Sequence, residues 1–195
     1  MKILRSPLAG IRGARRRAGK AFLRDDRAVT SIEFAILGLP FFLVIGAILE
    51  TAIVFLASQV LDSAVQDSGR LIRTGQAQFA NYTATNFRAA ICSELFNLFN
   101  CANLQIKVST VTDFASATVV TPIDTTQATA PWTLVPSYCP GVGKSIIMVQ
   151  AYYKWPVMLN FGGFNLQSSP DGTRLLGAVR VFENEPFGGT ATTCP

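Results

Sequence analysis

Histidine is absent from this 195-residue chain. That removes the commonest metal ligand and the commonest general base together. Charge is scarce as well, at 15% of residues. No segment resembles another, which excludes repeat architectures. The 15 Gly and 10 Pro follow no period, so the chain is not collagen-like. Apolar residues are abundant instead: 49% of the total, with 14 Phe and a mean hydropathy of +0.33. Such content can bury a core, which excludes disorder of the whole chain. The positive hydropathy calls for a segment that faces lipid. The length suits one domain with an appendage.

Charge is distributed unevenly. Residues 1–27 carry nine Lys and Arg against Asp25 and Asp26, a net +7, and the other 168 residues carry eight basic and ten acidic side chains, a net −2. A basic arm of this kind can bind nucleic acid, but the neighbouring segment supplies another reason for it. From Phe34 to Leu49 the chain reads FAILGLPFFLVIGAIL without a charge, and the largely apolar stretch runs from about Val29 to Leu61 with only Glu33 and Glu50 charged. A bilayer core needs roughly 20 apolar residues, and Pro40 and Gly46 are tolerated in such a helix. The basic flank then places residues 1–27 in the cytoplasm and sends the rest across the membrane. The arm is thereby explained as a topology signal near anionic lipid, and no nucleic-acid partner is required.

A secretory signal peptide would have a shorter apolar core, ending in a small-x-small cleavage site. Here the run passes without a turn into LDSAVQDSGRLIRTGQ, where Leu61, Ala64, Val65, Ser68, Leu71 and Ile72 fall close to one helical face. The spacing predicts one helix from near Val29 to about Thr74, lipid-facing in its first half and amphipathic in its second. Glu50 lies seventeen residues beyond Glu33, roughly 25 Å along the axis, and is expected to snorkel at the far interface.

The entrance of the run reads Arg27-Ala28-Val29-Thr30-Ser31-Ile32-Glu33-Phe34. A small residue succeeds a basic leader, and a carboxylate stands five residues later at the head of an apolar helix. This resembles the class III signal of type IV pilin-like proteins, which a membrane-embedded aspartyl peptidase cuts after the small residue. The longer run RDDRAVTSIEFAILGLPFFLVI is similar to the TadE family of the tight-adherence (Flp, Tad) pilus systems, with Ala28 where Gly is usual. The aromatic-Trp-Pro run at Tyr153-Lys154-Trp155-Pro156 and the Glu-Pro pair at Glu185-Pro186 fit more loosely.

The resemblance implies a pseudopilin-type protein of the bacterial inner membrane, single-pass, with a cytoplasmic N-terminus and a periplasmic domain. It implies processing between Ala28 and Val29 by a prepilin peptidase. Partners would be membrane lipid and other Tad pilus components: the pilin, pseudopilins and the inner-membrane platform. Glu33, with Phe34 next to it, would pair with the freed amine of Val29, in its own subunit or a neighbour's, each charge lowering the burial cost of the other. The alternative is an uncleaved single-pass scaffold of a secretion or pilus complex. An anchored periplasmic hydrolase ranks below both, because no nucleophile–base pair can be named. A non-enzymatic protein without cofactor or metal is expected.

Beyond Gly75 the pattern changes. Residues 86–99 show helical spacing with Asn86 as a cap, and 104–112, 145–157 and 173–183 read as strands, the last entered through Asp171-Gly172. Residues 113–140 are rich in Thr, Ala and Pro and read as an irregular connection. The expected architecture is α+β: a long transmembrane and amphipathic helix, then a small disulfide-linked antiparallel sheet of pilin-like type. Its divisions would be a basic leader at 1–28, the span at 29–61, an extension and linker at 62–85, and the outer domain at 86–195. Cys92, Cys101, Cys139 and Cys194 permit three disulfide connectivities. Cys92–Cys101 is the local pair, and Cys139–Cys194 would then tie the connection to the tail. Their wide spacing disfavours zinc.

Gly141-Val142-Gly143-Lys144-Ser145 lacks the first glycine of a phosphate-binding loop and precedes a strand, so it reads as a turn. Asn81-Tyr82-Thr83 is a common triplet with no further support as a glycosylation acceptor. Glu183 and Glu185 fall on one strand face with no base beside them. Tyr152, Tyr153, Trp155, Phe161 and Phe164 read as sheet core or an interaction surface.

Overall fold

The computed structural model of the chain describes residues 26–161 and 164–188. Two compact units divide between Ile48 and Leu49. In the first, the described chain is wholly helical and belongs to α1, which spans Asp26–Arg73. Between Thr30 and Ile48 none of its side chains is buried. Pro40 stands inside without ending the helix. A helix that is apolar on every side and buries none of them suits lipid rather than water. The expected helix, Val29 to about Thr74, matches the observed one.

From Leu49 the same helix is one-sided. Val54, Ala57, Leu61, Ala64, Val65, Ser68 and Ile72 are buried, at steps of three and four, with Ala64 and Val65 adjacent, that keep them on one stripe. Gly75 ends α1 with φ +81, a left-handed conformation that a side chain resists. A Cβ there would also lie 2.8 Å from the Phe187 ring. A short helix α2 at Gln76–Phe79 comes next, then α3 at Ala84–Ser93.

Thr83 caps α3, its hydroxyl accepting from the Asn86 amide at 3.3 Å while Asn86 Oδ1 accepts from the Thr83 amide at 3.1 Å. The cap is thus Thr83, and Asn86 is its partner one turn in. The helix stops at Ser93 rather than continuing to 99. Phe96 and Asn97 adopt φ 49 and 57, which a right-handed helix does not accommodate. Cys92 and Cys101 are disulfide-bonded, with Cα atoms 6.1 Å apart, closing α3 against the 3-10 turn at Cys101–Asn103.

Four strands form the main sheet: β1 at Gln105–Val111, β2 at Ser137–Tyr138, β3 at Ile146–Pro156 and β6 at Thr173–Glu183. They lie in the order β2-β1-β3-β6. Both β1 and β6 run antiparallel to β3, Val149 facing Val108 on one side and Arg180 on the other. Strand β2 pairs parallel with β1, so the sheet is mixed rather than wholly antiparallel. Parallel neighbours need a crossover of a dozen residues or more, and the 112–136 connection supplies it. A separate two-stranded ribbon joins β4 at Asn160–Phe161 to β5 at Phe164–Asn165.

The core packs the α1 stripe and Phe87, Ile91 and Leu95 against one sheet face, which includes Val108, Ile147, Val149, Ala151, Tyr153 and Ala178. On the opposite face of β3, Met148, Gln150 and Tyr152 are buried too. The 112–136 connection reaches this side, where Lys154 bonds the carbonyls of Thr129 and Ala130. That double cover explains why β3 reads as an apolar run with little alternation. The Gly141–Ser145 segment is a turn, with Gly141 and Lys144 at positive φ and the Ser145 amide donating to Val142 O.

Leu61 is fully buried, whereas Phe55, on the same helix, is exposed. Leu61→Ala should cost about 2–5 kcal/mol through lost contact and the cavity left behind. Phe55→Ala should change stability little. Denaturant unfolding of the full chain in detergent, monitored by circular dichroism, checks the contrast.

Candidate functional site

The two acids expected near the ends of the apolar run sit in different surroundings. Glu33 is exposed, as are Ile32, Phe34 and Ile36 beside it, and among the described residues it has no ion-pair partner. The backbone at Ala28 and Val29 is helical within α1. Four residues separate Val29 from Glu33, a little over one turn, so the two lie on adjacent turns of the same face.

Glu50 is only 5% exposed. Its Oε1 accepts from the Met158 amide at 2.5 Å and the Leu159 amide at 3.2 Å, and Oε2 accepts from Leu159 at 3.1 Å. Glu50 therefore does not snorkel; it is an internal acceptor. The reason lies in the strand it meets. Strand β3 ends at Pro156, which leaves the next amides without a ladder partner. An unpaired amide away from water costs about 1–3 kcal/mol, and a carboxylate is the strongest acceptor a side chain offers.

A second polar centre has no counterpart among the sequence expectations. Lys154 Nζ donates to Asp171 Oδ2 and to Ala130 O, both at 2.6 Å, and stands 5.3 Å from the centre of the Trp132 ring. This one side chain fastens the 112–136 connection and the β6 entrance turn to β3. Burial works against ionisation of Asp171. Hydrogen bonds from Lys154 and Thr173, with the Lys154 charge, outweigh it and hold its pKa below the ordinary carboxylate value. A lone cation inside a largely apolar strand is the signal that marks the place, since a charge drawn partly out of water requires partners.

Other expected residues divide between the core and the surface. Glu183 ends β6 but Glu185 lies beyond it, so the two do not share a strand face. Glu185 faces Arg73 at 3.4 Å, and its amide donates to Arg73 O, which ties the end of α1 to the chain after β6. Arg180 pairs with Asp62 of α1. Tyr153 and Trp155 pack edge-on against Phe99 with centroids 4.9 and 5.4 Å away, and so belong to the core. The side chains of Phe161 and Phe164 lie outside the described residues. Cys139 is buried and disulfide-bonded; Cys194, its expected partner, lies outside the described residues.

Residues 28–70 match the family model for TadE-like protein. The matched segment begins at Ala28 and takes in Glu33, the apolar run, Glu50 and most of the amphipathic half of α1. No curated protein and no solved structure matches the chain.

Glu50→Ala should strand the amides of Met158 and Leu159 and lower stability by about 1–3 kcal/mol, with Glu50→Gln losing less. Denaturant midpoints in detergent measure the difference. The Asp171 pKa is depressed in the folded chain, so its contribution is present above the unfolded value, near 4, and is lost as pH falls through the folded one. Acid unfolding tracked by intrinsic fluorescence should therefore be shallower in Asp171→Asn than in the parent chain below about pH 4.

Proposed function

We propose, from the match of residues 28–70 to the family model for TadE-like protein, that the chain is a membrane-anchored pseudopilin assisting assembly of a Flp-type adhesive pilus. The observation that carries the reading is Glu33, at the head of a helix whose first half is largely apolar and, from Thr30 to Ile48, buries no side chain. In the proposed sequence of events, α1 holds the subunit in the inner membrane with its C-terminal domain in the periplasm. A prepilin peptidase hydrolyses the Ala28–Val29 bond, adding water across it and leaving a new ammonium group on Val29. That group stands one turn from the Glu33 carboxylate. The pair draws the new N-terminus into the apolar layer at a lower cost than either charge alone.

No step in this role asks the chain to make or break a bond itself. Its outer domain would select partners in the pilus machinery, and its apolar helix would pack beside theirs. Continuity of α1 supports retention of the helix after processing. A cut after the apolar run would remove the anchor from the residues that fill the core, whereas a cut after Ala28 leaves both halves joined.

Expressed with a C-terminal tag, the chain should lose the mass of residues 1–28 only when a prepilin peptidase is present. Unchanged mass in a piliated cell would favour the uncleaved scaffold. Glu33→Ala should abolish piliation, seen by electron microscopy, while the protein remains in the membrane fraction. Normal piliation in that variant would sink the role assigned to the acid.

A further inference from the structure

The exposed apolar surface of α1 does not stop at Glu50. Leu49, Ile53, Phe55 and Leu56 are all exposed, and Gln59 is the first exposed amide or charged side chain beyond them. The lipid-compatible belt therefore ends near Leu56, six residues or roughly 9 Å past Glu50. Helical side chains lean toward the N-terminus, so the Glu50 carboxylate sits at or below the level of its own Cα. The groups bonded to that carboxylate lie at the same depth.

Those groups are the amides of Met158 and Leu159. The chain here has left β3 at Pro156, and the Met158 side chain is 80% exposed. Exposure alone does not mark Met158, since Phe96 and Val135 are exposed to a similar degree; its bond to Glu50, at the level of the apolar belt, does. In lipid the arrangement is favourable on both counts. The apolar side chain finds apolar surroundings, and the two backbone donors, which lipid cannot satisfy, are satisfied by Glu50. Farther along α1, Thr51, Val54, Phe55 and Ser58 line a groove together with Arg174 of β6. That places a cation near the level of headgroup phosphates, where such side chains concentrate.

We propose that the corner Val157–Leu159 is a second membrane contact of this chain, seated in the leaflet at the C-terminal end of the span and held at that depth by Glu50. The proposal rests on the reading of α1 as a membrane span. It assigns Glu50 a task in addition to fold stability, since the acid fixes how deeply the outer domain sits. A single helix leaves its domain free to rotate and lift, whereas two lipid contacts restrain both.

The test uses the full chain in vesicles of phosphatidylcholine and phosphatidylglycerol whose acyl chains carry bromine, a contact quencher of tryptophan. Three variants are compared with the parent chain, whose Trp132 and Trp155 emission is subtracted: Phe42→Trp in the span, Met158→Trp at the corner, and Val135→Trp at an exposed site on the 112–136 connection. Most of the added emission should be lost at Phe42 and Met158 and retained at Val135. Quenching at Phe42 without quenching at Met158 overturns the corner while leaving the span intact. Equal quenching at Met158 and Val135 overturns it as well, because the contact would not be local. No quenching at Phe42 removes the span and the corner with it.

Discussion

One helix has to satisfy two surroundings. Between Phe34 and Ile48 α1 is apolar on every side, and its exposed side stays largely apolar to about Leu56, a surface suited to lipid. Beyond that point a stripe of Leu61, Ala64, Val65 and Ile72 carries the sheet, while the other sides are wetted. The α-helix allows this because its backbone bonds are closed internally and make no demand on the solvent. The rest of the fold depends on that continuity. Among the described residues the sheet has no other long helix on that face; its outer strand is tied to α1 by Arg180–Asp62, and the chain just beyond that strand by Glu185–Arg73.

Buried Glu50 and half-buried Lys154 solve one problem with opposite signs. Glu50 is an anion that gathers backbone N–H groups where β3 has run out of ladder. Lys154 is a cation that gathers the Thr129 and Ala130 carbonyls of the 112–136 connection, whose own pairing is the isolated Ile123–Trp132 bridge, and it is balanced by Asp171. In each case a single side chain substitutes for missing secondary structure, and removal would leave main-chain polar groups unpaired.

Much of this is legible in the sequence, for physical reasons that differ from element to element. The limits of α1 stem from apolar content and then from a helical stripe, both local signals. Strands β1, β3 and β6 fall within a residue or two of their expected bounds, because turn residues flank alternating or β-branched runs. The early end of α3 is not legible. Leu95, Phe96, Leu98 and Phe99 sit at spacing that suits a helix, yet the chain turns through left-handed Phe96 and Asn97, burying Leu95 and Phe99 by another path. The two-residue β2, and with it the parallel pairing, has no periodicity to detect. The segment from Ala28 to Phe34 is recognisable as a motif. The partners of Glu50 and Lys154 are not, because backbone amides and carbonyls carry no signature of residue type and those of Glu50 lie 108 and 109 residues away.

The Cys92–Cys101 bond joins two residues nine apart, across a segment whose left-handed turn no regular element would hold in place. Thiols in a reducing compartment stay apart, so this link closes only after its part of the chain has reached oxidising surroundings. Its state is thereby a chemical record of history: the bond intact means that this part of the chain has met an oxidant, and two free sulfhydryls mean that it has not.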